Sequence, residues 1–352
     1  DVYKRQRNGS NQAVRLLIGS DGSVSTPTLG TSNLAFGVNA GNSITSGGNY
    51  NVFIGDEAGT ALTTGDDNVA IGFEALKTED AHGQNVAIGY QALKTLNVGA
   101  IGYNTAVGWN AGLSMTTGQV NTLIGHIAGD ALTSGSDNVA VGYGALSSED
   151  AHGRNVAIGS GSLQALNAGA DANNVAVGYV AGNDLTTGIN NTLIGGSAGD
   201  ALTDADFNVA LGQGALGTDT LGSRSTALGY AALFTQNFTT ATDTYNVAVG
   251  YKAGEDVTTG LRNNLVGSFA GASLTDADDN TALGDSALNS DTKGSRSVAI
   301  GRASLANQNF TTSTSVYNTA VGHEAGNAVT TGVHNTFTVS YTHLTLPTNR
   351  EV

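Results

Sequence analysis

The sequence predicts an all-β fold, a parallel β-roll or β-solenoid of about 18 coils. Three observations lead there. One short phrase recurs eighteen times, typified by Asn85-Val86-Ala87-Ile88-Gly89-Tyr90-Gln91-Ala92-Leu93. The copies open at Asn33, Asn51, Asn68, Asn85, Asn104, Asn121, Asn138, Asn155, Asn174, Asn191, Asn208, Ser225, Asn246, Asn263, Asn280, Ser297, Asn318 and Asn335, in steps of 17 or 18 residues, with 19, 19, 21 and 21 at every fourth step. A fixed short period means one structural unit stacked many times. Lastly, each position of the phrase keeps one kind of side chain, and those kinds spell a strand followed by a turn.

Numbering runs from the phrase's Asn. Position 2 is mostly Val or Thr; position 3 is Ala, or a larger residue in one subset (Phe53, Leu123, Leu193, Leu265, Phe337); position 4 is aliphatic or Phe. β-Branched and apolar residues in a short run read as a strand. The expected repeat core is position 4: Ile54, Ile71, Ile88, Val107, Ile124, Val141, Ile158, Val177, Ile194, Leu211, Leu228, Val249, Val266, Leu283, Ile300 and Val321. Successive strand side chains point to opposite faces, and positions 2 to 4 all avoid charge. Both faces of the strand therefore want cover, the mark of parallel strands buried on two sides. The interior of a coil covers only one.

Position 5 is Gly (Gly55, Gly72, Gly89, Gly108, Gly125, Gly142, Gly159, Gly178 and onward), which marks a turn needing positive φ or a close backbone approach. Position 8 is small. Position 9 alternates in pairs, Gly41 and Gly59, then Leu76 and Leu93, then Gly112 and Gly129. Where it is Gly, position 12 is usually aliphatic; where it is Leu, position 12 is often polar, as at Glu79, Glu149, Asp219 and Gln236. This is volume compensation in a narrow core. Stacked Asn at position 1 would form an amide ladder. The longer fourth coils carry bulging loops at 97–101, 167–173, 237–245 and 309–317.

Domain boundaries follow. Residues 33–337 are the repeat domain, and 7–32 a leader in which Val14 to Val24 suggests a short hairpin. Asp1 to Gln6 resembles the translated end of a common sequencing-library adapter, and 338–352 resembles its reverse complement, expected to be disordered. Such scars stand outside a fold argument. Gly fills position 5 in seventeen copies, and the exception, Val339, falls where the second scar begins. The chain is thereby expected to be an internal fragment.

Composition excludes several classes. The net charge is −15, which repels nucleic-acid phosphates. With no Cys there is no disulfide or thiolate chemistry. No run of 18 apolar residues occurs, so no membrane insertion is expected of this segment. No cofactor, catalytic set or metal site can be nominated: Gly-x-x-x-x-Gly-Lys-Ser/Thr is absent, basic residues are dispersed, and no nucleophile–base grouping stands out. His82 and His152 sit in matching Glu-Asp-Ala-His-Gly turns four coils apart, too far to share a metal, and the turn carboxylates read as solvated. Aromatic residues often follow the repeat Gly; Trp109, Tyr143 and Tyr179 are candidates for surface binding, by stacking on sugars, or for packing along a seam.

Asn-Val-Ala-Ile-Gly with a downstream Ala resembles the head repeats of YadA-like trimeric autotransporter adhesins, which also occur in phage tail fibres. The resemblance covers Asn33 to Phe337, although these coils are longer than the adhesin's. It implies a left-handed roll, three chains side by side, and surface attachment. A homotrimer would also supply the second cover that the strands need. The expectation is a non-enzymatic, extracellular fibre segment whose partners are its own copies and a host-surface glycan or protein receptor. It would belong to a phage tail fibre, with a bacterial adhesin head or the shaft of a polysaccharide depolymerase as alternatives.

Overall fold

The computed structural model describes Leu17–Ile18 and Val24–Ser25 as strands, and residues 29–338 throughout. Residues 1–6 and, of the adapter-like segment 338–352, all but Thr338 lie outside the described residues. The chain divides into two units, Asp1–Ile189 and Asn190–Val352. Each is a stack of β-coils without a helix among the described residues, about 18 coils in all.

In the first unit, Leu17–Ile18 pairs antiparallel with Val24–Ser25. Then come nine three-residue strands from Leu34–Phe36 to Val175–Val177, each parallel to the next. The register is that of the repeat: Val69, Ala70 and Ile71 lie opposite Val86, Ala87 and Ile88. The second unit repeats this from Thr192–Ile194 to Thr336–Phe337. Its 21-residue fourth coils also have room for a second short ladder, Gly222–Ser223 with Thr242–Asp243 and Gly294–Ser295 with Thr314–Ser315.

The core is one residue wide at each strand, and that residue is position 3. Ala87, Leu123, Ala140 and their counterparts from Phe53 to Ala320 are fully buried. This corrects the assignment of the core to position 4. Because side chains alternate, positions 2 and 4 share the outer face once position 3 points inward. Ile54, Ile124, Ile158, Leu211, Leu228, Leu283 and Val321 are exposed, while Ile71, Ile88, Val107, Val141, Val177, Ile194, Val249, Val266 and Ile300 are half-buried. Each unit thus carries an outward stripe of Val, Thr, Ile and Leu.

The turn at position 5 needs glycine twice over. Gly125 has φ +140°, and a Cβ there would run into the carbonyl of Gly142 in the next coil. Position 9 is different. It is left-handed in every type of coil, at Gly129 (φ +55°) and equally at Leu76, Leu93, Leu146 and Leu163, with φ between 47° and 49° in three of these and 53° at Leu146. That conformation costs a non-glycine residue about 1–2 kcal/mol. Burying a leucine contributes about 1.5–3 kcal/mol in the other direction. Where glycine stands instead, its space is filled from two sides: a Cβ on Gly129 would lie 2.8 Å from Leu123 Cδ2 and 2.8 Å from Leu132 Cδ1. The compensation therefore links positions 3, 9 and 12.

The position-1 amides are buried inside the coil. Asn104 Oδ1 accepts the Asn121 N–H (3.0 Å), and Asn121 Oδ1 accepts the Asn138 N–H (3.0 Å). Asn121 Nδ2 donates to the Gly135 carbonyl (2.9 Å), closing the coil on itself. An orphaned buried polar group costs about 1–3 kcal/mol, so this ladder fixes the register of every coil.

The three-way packing predicts non-additivity. Gly129→Ala should cost about 1–3 kcal/mol by overpacking, and Leu132→Ala about 2–5 kcal/mol by leaving a cavity. The double variant should lose clearly less than the sum, since the truncated side chain at position 12 makes room for the new methyl. Urea midpoints of the four proteins measure the coupling, and simple additivity would refute it.

Candidate ligand-binding surface

In-register parallel stacking brings identical positions one above another, about 4.8 Å apart. At position 6, just past the glycine turn, this builds a column of rings. Phe73, Tyr90, Trp109, His126 and Tyr143 stack in sequence, with centroids 5.3, 5.9, 4.6 and 5.3 Å apart and interplanar angles of 10° to 21°. All five are exposed. In the second unit Tyr230 and Tyr251 stack at 5.3 Å, and Phe269 meets Tyr251 edge-on.

The column separates the candidates named from sequence. Trp109 has Tyr90 on one face and His126 on the other, so only its edge is free. Tyr143 is covered by His126 on one face. Its other side looks toward Ser160, the position-6 residue of the next coil, which has no ring. Tyr179 follows one coil later, 68% exposed, with no ring against it among the described residues. His126 was missed in the sequence because only Phe, Tyr and Trp were counted.

No protein-family model, curated protein or solved structure matches this chain. Its function must therefore be argued from its own surfaces.

A second set of polar groups lies inside. At position 12 of every fourth coil, beginning with the third, sits a fully buried acid: Glu79, Glu149, Asp219 or Asp291. Each binds two backbone N–H groups, one in its own turn and one in the bulge of the following coil. Glu79 accepts from His82 and Val98 (both 3.1 Å); Glu149 accepts from His152 (3.1 Å) and Ala168 (3.2 Å). Asp219 accepts from Gly222 and Phe238 (both 3.1 Å), and Asp291 from Gly294 and Phe310 (both 3.0 Å). The acid is thus the anchor that shapes the bulging loop, a role the sequence reading did not assign.

Glu79, Asp80 and His82 place three donor atoms within 4.8 Å, as do Glu149, Asp150 and His152. In each, the His Nδ1 is 3.5 Å from the glutamate Oε1 and otherwise unpartnered. The carboxylate already satisfies two amides, which explains its presence without an ion. Burial pushes the Glu79 and Glu149 carboxyls up from the ordinary 4.5, offset in part by the amides and the nearby imidazole. Glu74 goes the other way: Lys77 and Lys94, at 2.6 and 2.7 Å, hold it down at about 2.

These groups can be tested separately. Asp291→Ala should strip the bulge of its anchor, and amides in 309–316 should then exchange much faster than those of neighbouring coils; unchanged exchange would show the acid to be dispensable. The pH dependence has two limbs. A raised carboxyl stabilises the fold when protonated, so the Glu79 and Glu149 contribution is full below 4.5 and fades as pH rises through their raised values. Glu74 contributes fully above 4.5, and its share is lost as pH falls toward about 2. The urea midpoint should decline as pH rises above 4.5, with a slope flattened by Glu79→Gln with Glu149→Gln, while Glu74→Gln flattens only the acid limb.

Proposed function

We propose that this chain is a segment of a homotrimeric attachment fibre, a stack of coils that presents surface groups to a host cell. The observation that carries this reading is the outward stripe at positions 2 and 4. A side-by-side association of copies would cover it, because soluble monomers seldom expose a long contiguous apolar surface. The repeat phrase resembles the head of YadA-like adhesins, and the leader pair favours the tail-fibre version of that architecture. A left-handed coil belongs to the same proposal. The buried acids at position 12 hold backbone amides in place, and the reading assigns no reaction to the segment. Its chemistry of recognition lies on the aromatic column and the bulging loops, outside the sheet. The place of action is extracellular, on a virion or a cell surface.

Two measurements test this. In sedimentation, the chain fused to a trimerising foldon should run as a stable three-chain particle. Ile124→Lys with Val141→Lys should weaken that association without unfolding the coils, since both side chains lie on the outer face. A well-folded monomer, stable without its partners in the absence of the foldon, would contradict the trimer. The labelled trimer should then be retained on some strains of a bacterial panel without releasing reducing sugar. Retention on none would sink attachment, and sugar release would favour a depolymerase.

A further inference from the structure

The aromatic column has a gap, and the gap has walls. Tyr143 and Tyr179 occupy position 6 two coils apart, and the coil between them offers only Ser160. Two steps of about 4.8 Å set the rings about 10 Å apart. Beside Ser160 stands Gly161, which is buried: a Cβ there would lie 3.2 Å from Asn183 Nδ2 and 3.3 Å from Val180 Cγ1, so the slot is walled on this side. Its flank is polar. Asn183 Nδ2 donates to the Gly161 carbonyl (3.0 Å) and to Gln164 Oε1 (3.2 Å), which orients the Gln164 side chain and leaves its amide nitrogen without a protein partner among the described residues.

We propose that this slot binds one neutral pyranose ring, sandwiched between Tyr143 and Tyr179. The argument is one of thickness and charge. A planar group between two rings fills about 7–8 Å, two carbon–carbon contacts of about 3.5–4.0 Å. The slot exceeds that by about 2 Å. A puckered saturated ring, with C–H bonds directed at both walls, takes up the difference, whereas a nucleobase or indole would rattle. Aromatic faces attract such polarised C–H groups through their negative quadrupole. The Gln164 amide lies to the side, where equatorial hydroxyls would project. The chain's charge of −15 disfavours an acidic sugar. From Tyr90 to His126 both faces of each ring are occupied by neighbouring rings, so a ring missing between two others, at Ser160, is what creates the site.

The inference rests on the reading of this chain as an attachment segment, and the test separates the two. Saturation-transfer NMR of the full chain is run with methyl gluco-, galacto- and mannopyranosides, with adenosine as the planar control. At least one pyranoside should receive saturation on its ring C–H protons, reduced at least fivefold by Ser160→Tyr and by Tyr179→Ala and unchanged by Tyr90→Ala. Ser160→Tyr extends a column that already carries rings at this position, so it is expected to fold, which circular dichroism checks. No transfer to any pyranoside, transfer indifferent to Ser160→Tyr, or stronger transfer to adenosine would overturn the slot. Cell retention that survives Ser160→Tyr would overturn it too while leaving attachment intact. Pyranoside binding by a protein that no cell retains would keep the slot and remove attachment.

Discussion

The controlling constraint is the width of the coil. Each three-residue strand can turn just one side chain inward, and that side chain meets the opposite leg directly. The alternation of strand side chains then forces its two neighbours outward together. Interior volume must be negotiated among very few positions, which is why Leu123, Gly129 and Leu132 behave as one packing group. It is also why leucine is accepted at position 9 in the left-handed region, where glycine would relieve the backbone but, without a large residue at position 3 or 12, would leave a void. The same narrowness leaves no space for water, so the buried amides have to satisfy one another.

The period, the strand and the glycine turn were legible because they repeat in register and because few residue types suit them. The facing of the strand was not. Positions 3 and 4 are both apolar, and a three-residue strand gives no alternation long enough to reveal which face is wet. Position 3 holds Ala in most coils and Leu or Phe in some whose position 9 is Gly (Phe53 with Gly59, Leu123 with Gly129), and this trade of volume within the coil marks it as the inward position. Position 4 is large because it faces outward, where volume is unconstrained. The backbone held a second surprise. The residue before each ladder Asn is left-handed whatever its identity, from Tyr50 and Asp67 to Val120, with φ between 51° and 65°. A β-branched residue there gives no hint of it, since the closure of the coil and not the residue's preference sets the angle.

The candidate surface was half legible for a related reason. Rings at position 6 could be counted from the sequence, but their availability depends on what lies one coil above and below. Ring-on-ring contact converts most of the column from binding faces into packing, and the value of a ring rises where its neighbour is absent. Tyr143 and Tyr179 are therefore distinguished by Ser160, a residue with no chemistry of its own to attract notice. The buried acids are a similar case. Glu79 and Asp291 look like surface turn residues until the loop of the following coil is seen to close over them.

The two serines that interrupt the asparagine ladder show how strict the interior is. Ser225 and Ser297 occur in the coils whose position 12 is Gln236 or Gln308; in the corresponding coils with Asn85 and Asn155, position 12 is Leu96 or Leu166. Gln308 reaches into the vacated space, its Nε2 donating to Asp291 Oδ2 (2.6 Å) and Ser297 Oγ (3.0 Å), while its Oε1 accepts from Asn318 Nδ2 (2.8 Å). Gln236 makes the same contacts with Asp219, Ser225 and Asn246. An amide has been moved from one leg of the coil to the other, and the chain of donors and acceptors continues. What the interior demands is thus one amide at each level, able to accept from one side and donate to the other. An isolated Ser297→Asn change would set two amides against each other in a space sized for one. An isolated Gln308→Leu change would leave Asn318 Nδ2 with the Gly332 carbonyl as its remaining acceptor and would strip Asp291 Oδ2 of its donor. The two positions can exchange roles only together, which ties the ladder, the loop anchor and the bulge into a single polar network.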